Sequence, residues 1–160
     1  MRKELLTLLA ATTALAGIVP EVTYRFDPEK FRDSSRLVVR VVLPEGWHIQ
    51  SQAPLDSFLI PTVLKAEGKG LVFGPPAYPE PVLEDFPALG GKVALFQGKF
   101  EIRVPVKRAA RPGKAGRPPD SVQVVLRYQA CNHTQCLPPR EVAAHLDTRR
   151  PSASIPLRTR

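Results

Sequence analysis

The chain has 160 residues, 43% of them hydrophobic and 24% charged, and its formal net charge at pH 7 is +8. This is the composition of one globular domain with enough apolar side chains for a core. Many of the basic residues lie in 107–117 and 149–160, where no aromatic side chain accompanies them, so the positive charge does not indicate nucleic-acid binding.

The first residues are typical of an export signal. Arg2 and Lys3 precede an apolar run, Leu5 to Ala16, which ends in the small-residue cleavage pattern Ala14-Leu15-Ala16. At about 12 residues this run is too short to span a bilayer, and an uncleaved helix or anchor is the alternative interpretation. We therefore expect a signal at 1–16 and a product, periplasmic or otherwise exported, that is soluble after cleavage and can form disulfides.

After the signal, apolar residues alternate with polar ones, which predicts β-strands rather than helices. In chain order the predicted strands are 22–26, 36–43, 47–50, 58–65, 71–73, 93–96, 100–106, 122–130 and 141–146. The 18 prolines fall mostly in the gaps between them, including the proline-rich stretch 79–87, where turns are expected. The pattern predicts an all-β, immunoglobulin-like β-sandwich over 17–148, followed by a basic C-terminal tail at 149–160.

The chain contains two cysteines, Cys131 and Cys136, separated by four residues. By strand alternation Cys131 lies on the face opposite Val122 and Tyr128, so it should leave the core side as the chain turns. Four intervening residues can bring the two Cα atoms within the roughly 4.4–6.8 Å that a disulfide needs. Two accessible thiols in one loop suit a cycle in which one thiolate attacks a partner's disulfide and the other resolves the mixed disulfide.

A structural disulfide is the first alternative, because it is the commonest fate of a cysteine pair in an exported protein. Closing a loop of six residues removes little chain entropy, about 2 kcal/mol against nearly 5 for a loop of ~100 residues. A domain of this size has little need of so local a crosslink. If the disulfide is structural, the protein would be a non-catalytic binding or assembly module.

A metal site is the second alternative, since Cys131, His133 and Cys136 could bind zinc or Cu(I). The only methionine is Met1, in the signal, so the thioether ligands of exported copper carriers are absent. His48 is distant in sequence and is expected to be an ordinary strand residue. A protonated His133 could lower the pKa of a neighbouring thiol, but a polar residue filling a turn is the simpler interpretation. We expect no metal and no other cofactor.

The segment from Tyr128 to Pro139, YQACNHTQCLPP, resembles the active-site stretch of the N-terminal periplasmic domain of the thiol:disulfide interchange protein DsbD. Three other segments agree with that family in the right order. They are GWHI at 46–49 with Ser51 and Pro54, FLIPT at 58–62, and FEIRVPV at 100–106. The resemblance covers about 22–146.

The resemblance implies catalytic roles for particular residues. Cys131 and Cys136 become the redox pair, with Cys136 forming the mixed disulfide. The family shields its disulfide with a phenylalanine on a cap loop, and Glu84-Asp85-Phe86 is the matching segment, with Phe86 as the cap. Trp47 lies near the redox loop in the family's pattern, although we expect it to serve packing.

The resemblance also implies partners and an activity. The family accepts electrons from a thioredoxin-like domain and passes them to periplasmic disulfide isomerases or cytochrome c maturation proteins. We expect a protein-disulfide reductase of the thiol-disulfide interchange type that acts as a monomer. The transmembrane and thioredoxin-like domains of the full-length family are missing from this sequence. The partners should therefore be thioredoxin-like proteins and a membrane electron-transfer protein on a separate chain.

Overall fold

A computed structural model of the chain describes residues 20–27, 34–87, 91–109 and 121–147, together with the backbone of two short strands at 152–153 and 158–159. The signal predicted at 1–16 lies outside the described residues. So do most of the predicted tail and most of the basic run at 107–117.

Antiparallel β-strands make up most of the described chain. In chain order they are β1 (Glu21–Asp27), β2 (Ser34–Val42), β3 (His48–Gln50), β4 (Val63–Glu67), β5 (Leu71–Phe73), β6 (Val82–Phe86), β7 (Gly91–Gln97), β8 (Lys99–Arg108), β9 (Val122–Tyr128), β10 (Ala130–Cys131), β11 (Arg140–Leu146), β12 (Ser152–Ala153) and β13 (Arg158–Thr159). Among the described residues no helix is long and apolar enough to cross a membrane. The all-β prediction is confirmed, and each of the nine predicted strands has a counterpart.

Two of the three sheets form a sandwich. One sheet has the order β12-β1-β2-β8-β5 and the other has the order β13-β11-β9-β4. Alternation along the central strands turns one face of each sheet inward, so that Leu37, Ile102 and Leu126 are fully buried in one shared core. This is the immunoglobulin-like arrangement that the sequence predicts.

The third sheet, of order β10-β3-β7-β6, lies against the same core with one of its faces. Ala130, Ile49 and Phe96 are direct cross-strand neighbours in this sheet, and all three belong to the main core. The adjacent pair, Cys131 and His48, must point to the opposite side, because successive strand residues alternate between faces. We call that side the outer face of the third sheet.

Two strand predictions are wrong at one end. The strand predicted at 122–130 stops at Tyr128, because β9 pairs with β4 and β11 whereas the chain after Gln129 pairs with β3 as β10. The strand predicted at 58–65 begins only at Val63. Pro61 lacks an N–H to give to a neighbouring strand, which explains the later start.

Strand β6 lies within the stretch 79–87, where the sequence predicts turns. It pairs only with β7 and is therefore an edge strand. Pro81 and Pro87 flank it rather than interrupt it, and an edge position tolerates prolines at its ends. The high proline content of 79–87 is therefore the reason why β6, which carries Phe86, was not predicted as a strand.

A substitution at Leu126 tests whether the residues assigned to the core are buried, because Leu126 is fully buried within β9. Leu126→Ala removes buried apolar surface and leaves a cavity, so the free energy of unfolding should fall by about 2–5 kcal/mol. The matched control is Leu55→Ala, since the side chain of Leu55 is 59% exposed. The control should change the free energy by no more than about 0.5 kcal/mol in urea unfolding. Equal losses in the two variants would contradict the burial pattern.

Candidate active site

Cys131 and Cys136 are joined by a disulfide. Their Cα atoms are 4.1 Å apart, slightly closer than the range expected from the spacing. The two residues also face each other as an isolated antiparallel β-bridge. The four residues between them form the tip of a narrow hairpin, and we call 131–136 the cysteine loop.

The cysteine loop is closed by hydrogen bonds that do not involve the sulfur atoms. The Asn132 N–H donates to the Gln135 carbonyl at 2.9 Å, and the Leu137 N–H donates to the Ala130 carbonyl at 2.8 Å. The Asn132 side-chain oxygen accepts three more, from the Thr134 and Gln135 amides and the Thr134 hydroxyl, each at 2.9 Å. An asparagine that folds the backbone after it in this way forms an Asx turn. We therefore expect the two sulfur atoms to stay adjacent when the disulfide is reduced.

The two cysteines differ in exposure. Cys131 is 1% exposed, whereas Cys136 is exposed at the loop's far end. Cys131 leaves the core side, as strand alternation predicts, but it is buried on the outer face of the third sheet, so of the two thiols expected to be accessible only that of Cys136 is exposed. The pairing of β10 with β3 seats Cys131 in the third sheet. An incoming group therefore meets Cys136 first.

Phe86 packs against the cysteine loop. Its ring stacks on that of His133, with centroids 5.5 Å apart and planes inclined by 18°, and lies 5.1 Å from the ring of His48. Phe86 is buried within a small apolar cluster, whose other members are Leu59, Val93 and Leu95. The residue that the family resemblance selects as the cap is thus in contact with the loop that carries the disulfide.

The two acidic residues before Phe86 point to opposite faces of β6. Glu84 is the cross-strand partner of the buried Val93 and is half-buried on the outer face, as Phe86 is. Asp85 is the partner of Lys92 and is exposed on the other side. Only Glu84 shares a face with Cys131.

His48 belongs to the site, although the sequence analysis treats it as an ordinary strand residue. It is 5% exposed and pairs with Cys131 across the β3–β10 ladder. Burial lowers the pKa of His48 below its ordinary value; the charge of Glu84 raises it in part, and that of His133 lowers it. His48 is therefore a neutral imidazole at neutral pH.

Two further expectations from the sequence concern Trp47 and a metal site at the cysteines. Trp47 is partly buried and packs against the main core. In the described part of the chain no group of three or more His, Cys, Asp or Glu residues could hold a metal ion. The sulfur atoms of the alternative metal site are bonded to each other.

Three residues of the site were missed by the sequence analysis: His48, Asn132 and Leu59. For Asn132 a signal was present, since asparagine at the start of a short turn commonly folds the backbone after it. For His48 and Leu59 the decisive fact is strand pairing and packing between segments far apart in sequence. Both residues lie in segments that resemble the family, 46–49 and 58–62, but the resemblance gave neither of them a role.

Comparisons with known proteins agree with this geometry. The family model described as "Thiol:disulfide interchange protein DsbD, N-terminal" matches residues 16–148. The reduced N-terminal domain of DsbD from Neisseria meningitidis is similar in fold, with a TM-score of 0.51 and 16% sequence identity, over 79% of this chain and 85% of that one. The N-terminal periplasmic domain of ScsB from Proteus mirabilis gives a TM-score of 0.55 and 15% identity, over 82% of this chain and 46% of that one. No curated protein matches the chain significantly.

Phe86→Ala should speed the reaction of the reduced thiols with a small alkylating agent, because the apolar ring beside the loop is lost. The ring makes two aromatic contacts, and contacts of this kind contribute about 0.5–1.5 kcal/mol each. A loss of about 1.4 kcal/mol corresponds to a tenfold faster reaction if cap opening limits access. The control is Phe73→Ala, which removes a partly buried ring from the main core instead. An unchanged alkylation rate in Phe86→Ala would show that Phe86 does not shield the thiols and only contributes to packing.

The lowered pKa of His48 predicts a pH dependence of stability. Since the folded protein binds the proton less readily than the unfolded chain, the unfolded state takes up more protons as pH falls below the ordinary histidine pKa of about 6.5. The free energy of unfolding should therefore decrease as pH falls from 7 towards 5, and His48→Gln should reduce that decrease. His145→Gln, which removes an exposed histidine of β11, is the control. Identical pH profiles for wild type and His48→Gln in urea unfolding would contradict the prediction.

Proposed function

This chain belongs to the family of DsbD N-terminal domains, and on that premise we propose that it is an exported module that shuttles reducing equivalents to periplasmic proteins through Cys131 and Cys136. The family is one of thiol:disulfide interchange domains, and the cysteine pair is present. In this proposal the chain acts as a protein-disulfide reductase. Its acceptors are thioredoxin-like proteins, and its electron donor is a membrane electron-transfer protein.

One observation carries the proposal: an exposed and a buried cysteine share a loop that is closed without the disulfide. Cys136 is exposed and Cys131 is 1% exposed. The backbone hydrogen bonds of Asn132 and Leu137 close the loop without involving the sulfur atoms. A reactive cysteine beside a sheltered partner thiol is the arrangement that an exchange cycle needs.

The cycle follows from this asymmetry. In the reduced form, the Cys136 thiolate attacks a disulfide of the acceptor, forms a mixed disulfide with one acceptor sulfur and releases the other as a thiolate. Cys131 then attacks Cys136, so that the Cys131–Cys136 bond forms. The acceptor sulfur that was bonded to Cys136 leaves with the electron pair. The acceptor has gained two electrons, and this chain has lost them.

The surface near the cap supports a protein as the partner. Leu55 and Phe58, in the loop that places Leu59 against Phe86, are 59% and 58% exposed. Val82 is 43% exposed on the outer face of β6. Exposed apolar side chains gathered near a reactive group mark a surface for transient protein contacts. Phe86, as the cap, would have to move aside for the acceptor to reach the disulfide.

A structural disulfide in a non-catalytic module is the competing function. The disulfide closes only five peptide units of chain, and the chain-entropy model assigns about 2 kcal/mol to so short a loop. Backbone hydrogen bonds already hold the same turn. A crosslink there would add little to the fold, whereas an aromatic cap over it suits a bond that reacts.

Trapping with single-cysteine variants tests the proposal. The probe is a thioredoxin-like protein with one active-site cysteine, activated as its mixed disulfide with thionitrobenzoate. Cys131→Ala retains the exposed Cys136 and should accumulate a stable mixed disulfide with the probe on a non-reducing gel. Cys136→Ala retains only the buried thiol and should trap far less, since exchange needs direct access of one sulfur to another.

The wild-type reduced protein is the reference in this experiment. Cys131 should resolve its mixed disulfide and release the probe as a free thiol. Equal trapping by the two variants would remove the assignment of Cys136 as the attacking residue. If neither variant traps the probe, the disulfide is structural.

A further inference from the structure

His48 is the direct cross-strand neighbour of Cys131. The register of β10 on β3 pairs these two residues, and both lie on the outer face of the third sheet. Directly opposed residues of an antiparallel pair have Cβ atoms about 4.5–5.5 Å apart. That separation lets an imidazole nitrogen reach the Sγ atom of the neighbouring cysteine.

The surroundings of His48 keep it out of water. It is 5% exposed, and the ring of Phe86 lies 5.1 Å away. The charged or titratable groups that act on it are Glu84 of β6 and His133 of the cysteine loop. Its partner on β7 is the uncharged Gln97. A buried base of this kind can exchange a proton only with the groups beside it or when the cap opens.

A base beside Cys131 would assist the resolving step of the cycle. A thiolate is the attacking species in disulfide exchange, and burial in apolar surroundings makes a thiol harder to ionise. Cys131 is buried and must lose its proton before it can attack the mixed disulfide on Cys136. In this structure Cys131 is 1% exposed, so the groups beside it are the nearest candidates to accept the proton.

We propose that the imidazole of His48 takes the proton of the Cys131 thiol in the resolving step, which makes His48 a further working residue of the exchange. The proposal rests on the proposed function. As the S–H bond of Cys131 breaks, the proton moves to the imidazole and the sulfur electron pair forms the Cys131–Cys136 bond. The acceptor sulfur leaves Cys136 as a thiolate, so the electrons balance, and the imidazolium returns its proton to that thiolate or to solvent.

The electrostatics of His48 agree with this role. Burial lowers its pKa, so at neutral pH the imidazole is unprotonated and able to accept a proton. The half-buried Glu84 raises the pKa in part, which stabilises the imidazolium formed during the transfer. The ring of Phe86 contacts both His48 and His133.

The experiment uses reduced protein and the aromatic disulfide that releases coloured thionitrobenzoate. The first thionitrobenzoate is released when Cys136 attacks the reagent and forms a mixed disulfide. The second is released when Cys131 resolves that mixed disulfide. We expect His48→Gln and His48→Phe to slow the second release at pH 7 by about 10²-fold, the scale of general base catalysis, and to leave the first nearly unchanged. The difference should shrink as pH rises above the ordinary thiol pKa of about 8.5, where Cys131 ionises without help.

The two variants separate proton transfer from packing. His48→Phe keeps an aromatic ring against Phe86 but has no base, so both variants should slow the second release if the base is what matters. A slow second release in His48→Gln alone would point to packing and overturn the proposal. Wild-type rates and pH profiles in both variants would overturn it as well. His145→Gln is the matched control and should behave as wild type. If the wild-type protein lacks the first release, the exchange function itself fails, and that outcome is distinct from a failure of His48.

Discussion

The two-residue pairing of β10 with β3 is the constraint on which the site depends. It takes the chain out of the sandwich after Tyr128 and binds it into the third sheet. The same pairing buries Cys131, sets His48 beside it and leaves Cys136 to close the hairpin at the surface. Without it, the two cysteines would occupy an ordinary exposed loop and would be equivalent in access.

The cap depends on a second element of the same sheet. β6 pairs with β7 at the sheet edge and delivers Phe86 to the cysteine loop, with Leu59 packed behind it. Edge strands make fewer contacts than central ones and open more readily. In the proposed function, a cap on an edge strand would protect the disulfide from small thiols and still move aside for a protein that supplies its own apolar surface. Leu55 and Phe58 are exposed in the loop beside it.

Most of the fold could be predicted from the sequence, because apolar and polar residues alternate along most of β2, β8 and β9; Val38 of β2, which is also buried, is the main departure. β6 could not, since its composition resembles that of the flanking proline-rich turns. The cysteine pair was found from chemistry and spacing, and Phe86 from the family resemblance. His48 was not found, because its relation to Cys131 is a cross-strand register between residues far apart in the chain. The pairing of Cys131 with His48, which buries Cys131, was not predicted for the same reason.

The reduction potential of the Cys131–Cys136 disulfide tests the central claim most directly. It can be measured by equilibrating the protein with glutathione or dithiothreitol buffers and quantifying the reduced fraction by alkylation. A working exchange module should have a potential within the range of known redox carriers, about −120 to −270 mV. A potential well below about −300 mV, typical of structural disulfides in secreted proteins, would contradict the account.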